Sequence, residues 1–231
     1  EAGVGNHASL TDAKGHTLLD LWVHHREAFL MLETDPGLQE KLCTSLDKYL
    51  IADNVVLTDV TDEWAILGIQ GAGSGDLLDR VIGESGKGLA EHHHRKVDID
   101  GMQAILTARS FTGEPGFDLW VDVDKSQAFW EALIQAGGQP VGTEALELLR
   151  VEAGLPHYGK DVDEQVTPLE AGLSDTVDFE KGCYIGQETI AKMHYRGKPR
   201  RYLVGLQVDG ERVPEEGDMA QVDEKDVGYV T

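Results

Sequence analysis

Cysteine, basic charge and long apolar runs are all scarce in this sequence, and each shortage argues against a class of protein. The 231 residues contain only Cys43 and Cys183, too few for a disulfide scaffold, so we expect a reducing, cytoplasmic location. With 20 Lys and Arg against 42 Asp and Glu, the net charge is −22. Such a field repels phosphates and argues against general nucleic-acid or anionic-membrane binding. No apolar run reaches membrane-spanning length, and no signal-peptide pattern opens the chain.

The hydrophobic share of 41% is enough for one large domain or two small ones. Periodicity predicts strands at 18–23, 28–32, 54–60, 63–69, 102–110 and 117–123, and helices at 75–82, 125–136 and 143–152. A further helix, with Asp35 as its N-cap and Pro36 in its first turn, is predicted to run to Leu50 and to place Cys43 beside its apolar face. Asp124 is the predicted N-cap of the helix at 125–136. Strand pairs that alternate with helices indicate an α+β fold with mostly antiparallel sheets.

The most distinctive segment is KGCYIGQE at residues 181–188. Cys183 lies between two glycines, Lys181 precedes it, and a short helix is predicted to begin at Gln187. Unpaired N–H groups at a helix N-terminus and a nearby ammonium both favour a thiolate. The pattern is equally compatible with a reactive thiol and with an inert cysteine packed in a turn.

Basic residues concentrate in the same region. Residues 181–201 hold one acid, Glu188, and six basic residues: Lys181, Lys192, Arg196, Lys198, Arg200 and Arg201. Such a segment is most often a solvated surface paired with neighbouring carboxylates, and it can also bind an anionic ligand or partner. Charge alone favours the first interpretation.

Two further segments carry candidate ligand-binding residues. FTGEPGFD at residues 111–118 puts Glu114 and Asp118 around a Pro-Gly turn, where ionised carboxylates can accept paired N–H bonds from a heterocycle such as a pterin. An ordinary acidic turn is the alternative. Arg150 lies near the end of a predicted helix, where it can bind a ligand carboxylate or complement the helix dipole.

Together these segments resemble a known superfamily. QG at 70–71, FTGEPGFD at 111–118, LRVEAG at 149–154 and TPLEAGL at 167–173 occur in the order seen in folate-binding proteins of the glycine-cleavage T-protein (aminomethyltransferase) superfamily. KGCYIGQE, with YRG at 195–197, resembles the YgfZ branch in particular, because the aminomethyltransferase branch lacks this cysteine motif. The resemblance extends from about residue 8 to the end of the chain.

The resemblance implies a T-protein-like fold. Residues 1–200 would form two intertwined α+β domains around a folate pocket, without the family's first strands, and residues 201–231 would begin a C-terminal β-barrel. It implies tetrahydrofolate as the cofactor and iron–sulfur client or assembly proteins as partners. Residue roles are implied in the same way. The catalytic candidates are Cys183 and Lys181, and the cofactor-binding candidates are Glu114, Asp118, Arg150, Gln187 and Trp22.

Two main hypotheses about function follow from the resemblance, and a structural adaptor that has kept the fold and lost ligand binding is a third option. The first is a tetrahydrofolate-binding accessory protein for iron–sulfur cluster assembly or repair, including the clusters of tRNA-modifying enzymes, which uses the thiol of Cys183. The alternative is a folate-dependent aminomethyltransferase or other one-carbon transferase. Aminomethyltransferases carry two adjacent aspartates in the strand that corresponds to residues 18–23. Here that pair reads Leu19-Asp20, a departure that argues against glycine cleavage.

Overall fold

The fold is described from a computed structural model of residues 3–83, 86, 88–99, 101–210 and 212–231. Its first sheet has three antiparallel strands in the order β1-β2-β3: β1 (Gly5–Thr11), β2 (Thr17–His25) and β3 (Leu30–Glu33). Leu19 and Leu21 of β2 pack against Leu42 of helix α1 (Gln39–Asp47). One face of the sheet is therefore an apolar core covered by a helix.

The second sheet has four antiparallel strands in the order β4-β7-β6-β5. The strands are β4 (Trp64–Gln70), β5 (His94–Ile99), β6 (Met102–Ala108) and β7 (Gly116–Asp122). Two helices, α2 (Ser74–Ile82) and α3 (Ser126–Gln135), cover one face of this sheet, where Leu78, Phe129 and Leu133 join its apolar side chains in the largest core cluster.

The remaining elements complete the chain. They are α4 (Thr143–Glu152), α5 (Gln187–Arg196) and a hairpin of β8 (Met219–Val222) and β9 (Lys225–Tyr229). In the described part of the chain β8 and β9 pair only with each other and close no barrel. None of the described helices is both long enough and apolar enough to cross a bilayer.

Polar residues alternate with apolar ones in β2, because successive side chains of a strand point to opposite faces. Leu19, Leu21 and Val23 join the core over α1, which places Asp20, Trp22 and His24 on the other face. That face meets the second sheet, since His24 contacts Trp120 and His94 with ring centroids 5.3 and 5.6 Å apart. A layer of polar and aromatic side chains thus lies between the sheets, and we call it the inter-sheet layer.

The structure confirms the mixed α/β architecture with antiparallel sheets and most of the expected elements. Three expectations were wrong. Residues 54–60 form no strand, and Val55 and Val56 are exposed. Asp35 does not cap α1, which begins four residues later at Gln39. Asp124 does not cap α3, whose N-cap residue is Lys125 and carries no side-chain cap; Asp122 caps the 3-10 turn Val123–Lys125 just before α3 and accepts the N–H of Asp124 at 3.0 Å.

Candidate functional site between the two sheets

Arg109 crosses the inter-sheet layer and ties the two sheets together. Its guanidinium carbon lies 3.5 Å from the ring centre of Trp22 and 4.1 Å from that of Phe111. It donates a hydrogen bond to Glu33 of β3 and lies 3.5 Å from a carboxylate oxygen of Asp118. Because Arg109 is 3% exposed, these contacts operate in a low-dielectric environment.

Asp118 is the most buried carboxylate of the layer. It lies in the middle of β7, opposite Gly68 of β4 and Thr107 of β6, and it is 1% exposed. Among the described residues neither of its oxygens has a hydrogen-bond partner. Burial raises the pKa of Asp118 to about 7, an effect that the charge of Arg109 only partly offsets. Its two carboxylate oxygens are therefore acceptors that receive no hydrogen bond from the described residues.

His7 and Asp20 form a second polar pair at the edge of the layer. The imidazole of His7 stacks on Trp22, with ring centroids 4.7 Å apart and planes 1° from parallel, and its Nε2 hydrogen-bonds Asp20. The other ring nitrogen lies 3.8 Å from the carboxylate of Asp175. Burial lowers the pKa of His7, but the nearby carboxylates of Asp175 and Asp20 outweigh this effect and raise it to about 9.

Both faces of the Trp22 indole are covered. In register, Trp22 lies between His7 of β1 and Glu33 of β3. His7 stacks from the β1 side, and Arg109, which is bound to Glu33, stacks from the β3 side. Trp22 therefore orients these two cationic side chains and offers no free ring face to a ligand.

Glu114 and Arg150 lie at the junction of the 111–118 segment with α4. Gly113, with φ at +73°, approaches Ala153 so closely that an added Cβ would lie 3.0 Å from the alanine Cβ. Glu114 is exposed in the turn. Arg150 already donates four hydrogen bonds within the chain, to Glu147, Asp161 and the carbonyl of Leu155. A guanidinium has five N–H donors, so the hydrogen bonds to described residues leave one for a ligand.

The KGCYIGQE segment docks on the β1–β2 turn. The Thr11 hydroxyl donates to the carbonyl of Ile185 at 2.6 Å. Gly186, with φ at +82°, leaves no room for a side chain, because a Cβ would lie 2.6 Å from the carbonyl oxygen of Asp12. Cys183 is exposed, whereas Cys43 is partly buried on α1. Gln187 is the first residue of α5, as the sequence predicts.

Lys181 points into the same segment. Its ammonium lies 5.2 Å from the ring centre of Tyr184. A cavity of about 330 Å³ lies beside it, lined by β1, the end of α1 and α5. A second described cavity, of about 340 Å³, lies near Leu206 and Val230. Neither cavity is lined by the predicted cofactor-binding residues.

The basic segment is exposed along most of its length. Arg201 contacts Glu170 at 3.5 Å and donates to the carbonyl of Gln165 at 2.6 Å. The described residues include no group of three or more His, Cys, Asp or Glu side chains arranged to hold a metal ion.

The inter-sheet layer also holds residues that the sequence reasoning did not select, among them His7, Asp20 and Arg109. For Asp20 the sequence did contain a signal, because apolar and polar residues alternate along β2 and Asp20 is on the polar face. Leu19 points into the core over α1 and is fully buried there, so an acid at this position would face away from the layer. The Leu19-Asp20 pair therefore keeps one carboxylate, that of Asp20, on the face of β2 that meets the second sheet.

Comparison with known proteins places this geometry in a family. An aminomethyltransferase from Rubrobacter xylanophilus is 30% identical over 99% of this chain, and one from Caldanaerobacter subterraneus is 35% identical over 77%. The chain spans 62% and 48% of the lengths of these two relatives. The crystal structure of the glycine cleavage system aminomethyltransferase T from Bartonella henselae shares the fold, with a TM-score of 0.71 over 85% of this chain and 54% of that one, at 23% identity.

The family match itself covers residues 1–181, and it ends two residues before Cys183. It therefore includes every residue of the inter-sheet layer described above but not the cysteine. This chain belongs to the GCVT N-terminal domain family.

Proposed function

We propose that this chain is the folate-binding part of a folate-dependent one-carbon transferase of the aminomethyltransferase class. The observation that carries the proposal is the presence of two buried carboxylates, Asp20 and Asp118, on the facing surfaces of the inter-sheet layer. Relatives that match almost the whole chain are named aminomethyltransferase, which favours this function over an iron–sulfur accessory role.

The donor and acceptor chemistry of the layer fits tetrahydrofolate. A reduced pterin presents N–H donors along one edge, and Asp118 offers two carboxylate oxygens that lack donors among the described residues. Phe111 and the exposed Glu114 belong to the same segment and would contact the ring and its edge. Because Asp118 is 1% exposed, side chains of the layer must move to admit the ring.

Asp20 is the residue that we assign to the chemistry. When bound, tetrahydrofolate supplies the nitrogen that receives the one-carbon unit. As the new nitrogen–carbon bond formed, the bond from that carbon to its donor would break and the donor would leave with the electron pair. The nitrogen would gain positive charge and would have to lose a proton, and the buried carboxylate of Asp20 would stabilise the charge and accept the proton. Asp20 is 4% exposed and hydrogen-bonded to His7, so its carboxylate is held in one place.

Titration of tetrahydrofolate into the protein by calorimetry tests the proposal. A charge-assisted hydrogen bond contributes about 1.5–3 kcal/mol, so Asp118→Asn should raise the dissociation constant about tenfold or more. Glu114→Ala should have a similar effect. Asp98→Asn is the matched control, because Asp98 is an exposed carboxylate on β5 of the same sheet. Equal affinities for Asp118→Asn and the control would remove Asp118 from the site.

The exposure of Cys183 favours a second candidate, the YgfZ-type accessory function. Its thiol is accessible on a loop fixed by Thr11 and Gly186. An iron–sulfur cluster usually needs four protein ligands, so this thiol would share a cluster with a partner or act by redox chemistry. The test is complementation. If this candidate is correct, Cys183→Ser folds but does not restore iron–sulfur enzyme activity in cells that lack the protein, whereas full rescue argues against it.

A further inference from the structure

His7 is held between two carboxylates at the edge of the inter-sheet layer. One ring nitrogen hydrogen-bonds Asp20 and the other faces Asp175 of the 3-10 turn Ser174–Thr176. The contact with Asp20 is a hydrogen bond, whereas the 3.8 Å to Asp175 is beyond hydrogen-bond distance, so Asp175 acts on the ring through its charge. Two carboxylates beside one imidazole favour its protonated form. The ring is also shielded from solvent, since its side chain is 12% exposed.

The fold fixes this imidazole ring from several sides. Trp22 covers one face of the ring, and the register of β1 against β2 places Ser9, two residues along from His7, opposite Asp20. The Ser9 hydroxyl bonds that of Thr176 at 2.7 Å, which ties β1 to the turn that carries Asp175. Trp22 lies between His7 and Arg109, and the side-chain hydrogen bond of His7 is to Asp20, so we expect His7 to act through Asp20.

Charged and titratable groups face His7 from several neighbouring segments. Asp20 lies on β2 and Asp175 on the 3-10 turn. His92, just before β5, has its ring centroid 6.0 Å away. Burial, together with the positive charges of His7 and Arg109, lowers the pKa of His92 to about 4, so it is neutral at pH 7. Arg109 and Glu33 lie beyond Trp22 and pair with each other.

We propose that His7, held between Asp20 and Asp175, is the positioning residue that places a cation beside the carboxylate of Asp20 and orients it for one-carbon transfer. A buried carboxylate without a cation tends to take up a proton and to lose its value as a base. His7 supplies the cation and fixes the orientation. This inference rests on the proposed function, and it adds a residue that does not touch the substrate.

The test has a spectroscopic arm and a kinetic arm. In the first, the ring resonances of His7 are followed by NMR between pH 5 and pH 10 in the wild-type chain and in Asp20→Asn. We expect His7 to remain protonated well above pH 7 in the wild type and to titrate at lower pH in Asp20→Asn. Titration of His7 at about its ordinary pKa of 6.5 in both proteins overturns the inference. This arm needs no substitution of His7, so it is decisive even if no His7 variant folds.

In the kinetic arm, His7→Gln keeps an N–H donor near Asp20 but removes the charge. We expect the dissociation constant for tetrahydrofolate to change less than about threefold. The rate of one-carbon transfer by the full-length protein should fall roughly 10- to 100-fold, within the range seen for acid–base groups, and its pH profile should lose the fall in rate at alkaline pH. His25→Gln, on the exposed end of β2, is the control and should leave both quantities unchanged. An unchanged rate and pH profile in His7→Gln overturns the inference. Failure of the wild-type chain to bind tetrahydrofolate, with His7 titrating as expected, overturns the proposed function instead.

Discussion

Replacement of Asp118 by asparagine should stabilise the protein at alkaline pH and not at acidic pH. Asp118 is buried in the centre of the second sheet, its oxygens have no hydrogen-bond donors among the described residues, and Arg109 is its nearest cation at 3.5 Å. Asparagine has almost the same shape and cannot ionise. Arg109 keeps its hydrogen bond to Glu33 in this variant, so the substitution leaves no new buried cation without a partner.

The magnitude follows from the pKa of Asp118, which burial raises from 3.8 to about 7. The folded protein holds this proton more tightly than the unfolded chain does, so stability is lost as pH rises through this window and the loss is complete above about pH 7. At 1.36 kcal/mol for each pKa unit, the roughly three units amount to about 4 kcal/mol. Of this, about 2–3 kcal/mol develops between pH 5 and pH 8.

Urea unfolding at pH 5 and at pH 8 measures this effect. The free energy of unfolding of Asp118→Asn, relative to wild type, should increase by about 2–3 kcal/mol between the two pH values. Asp98→Asn corrects for the loss of one formal charge from the same sheet. A relative stability that does not change with pH, or that falls as pH rises, would refute the account of Asp118 as a buried carboxylate without donors.

Three further predictions concern the ligand and the cysteine segment. If pterin N–H groups donate to Asp118, they favour its ionised form, so tetrahydrofolate binding near pH 7 should release a proton and should tighten as pH rises from 5 to 8. Calorimetry in buffers of different ionisation enthalpy measures the proton release, and its absence would argue against a contact between the pterin and Asp118. Gly186→Ala should lower the free energy of unfolding, measured in urea, by about 1–3 kcal/mol, because φ is +82° and an added Cβ would collide with the β1–β2 turn. Gly182→Ala is the control: an added Cβ there has no neighbour within 4 Å, so the free energy of unfolding should change by less than about 0.5 kcal/mol. Exposed Cys183 should react with iodoacetamide much faster than partly buried Cys43; equal rates would leave the segment without a distinctive thiol.

Secondary structure was predictable where periodicity was strong. The helix at residues 143–152 was predicted at the bounds that α4 shows, and the strands at 102–110 and 117–123 lie within two residues of β6 and β7. β1 and β5 went unrecognised because they are rich in polar residues, and only pairing with β2 and β6 makes them strands. The apolar run at residues 54–60 has the composition of a strand, but it finds no partner and stays exposed.

The site was only partly predictable for a related reason. Asp118 and Trp22 were selected from the sequence, and both lie in the inter-sheet layer. The importance of His7 depends on the register that brings it beside Trp22 and Asp20, which local sequence does not contain. Arg109 was missed because its partners Glu33 and Trp22 belong to the other sheet. In each case the signal is a tertiary contact between segments that are distant in the chain.

The central claim, that a folate binds between the two sheets, is tested most directly by a crystal structure of the full chain grown with tetrahydrofolate. The account predicts a pterin ring in the inter-sheet layer, with its N–H groups at the carboxylate of Asp118 and its reactive nitrogen on the side of Asp20. Density for the ligand only in the cavity beside Lys181, or none at all under saturating conditions, would contradict it.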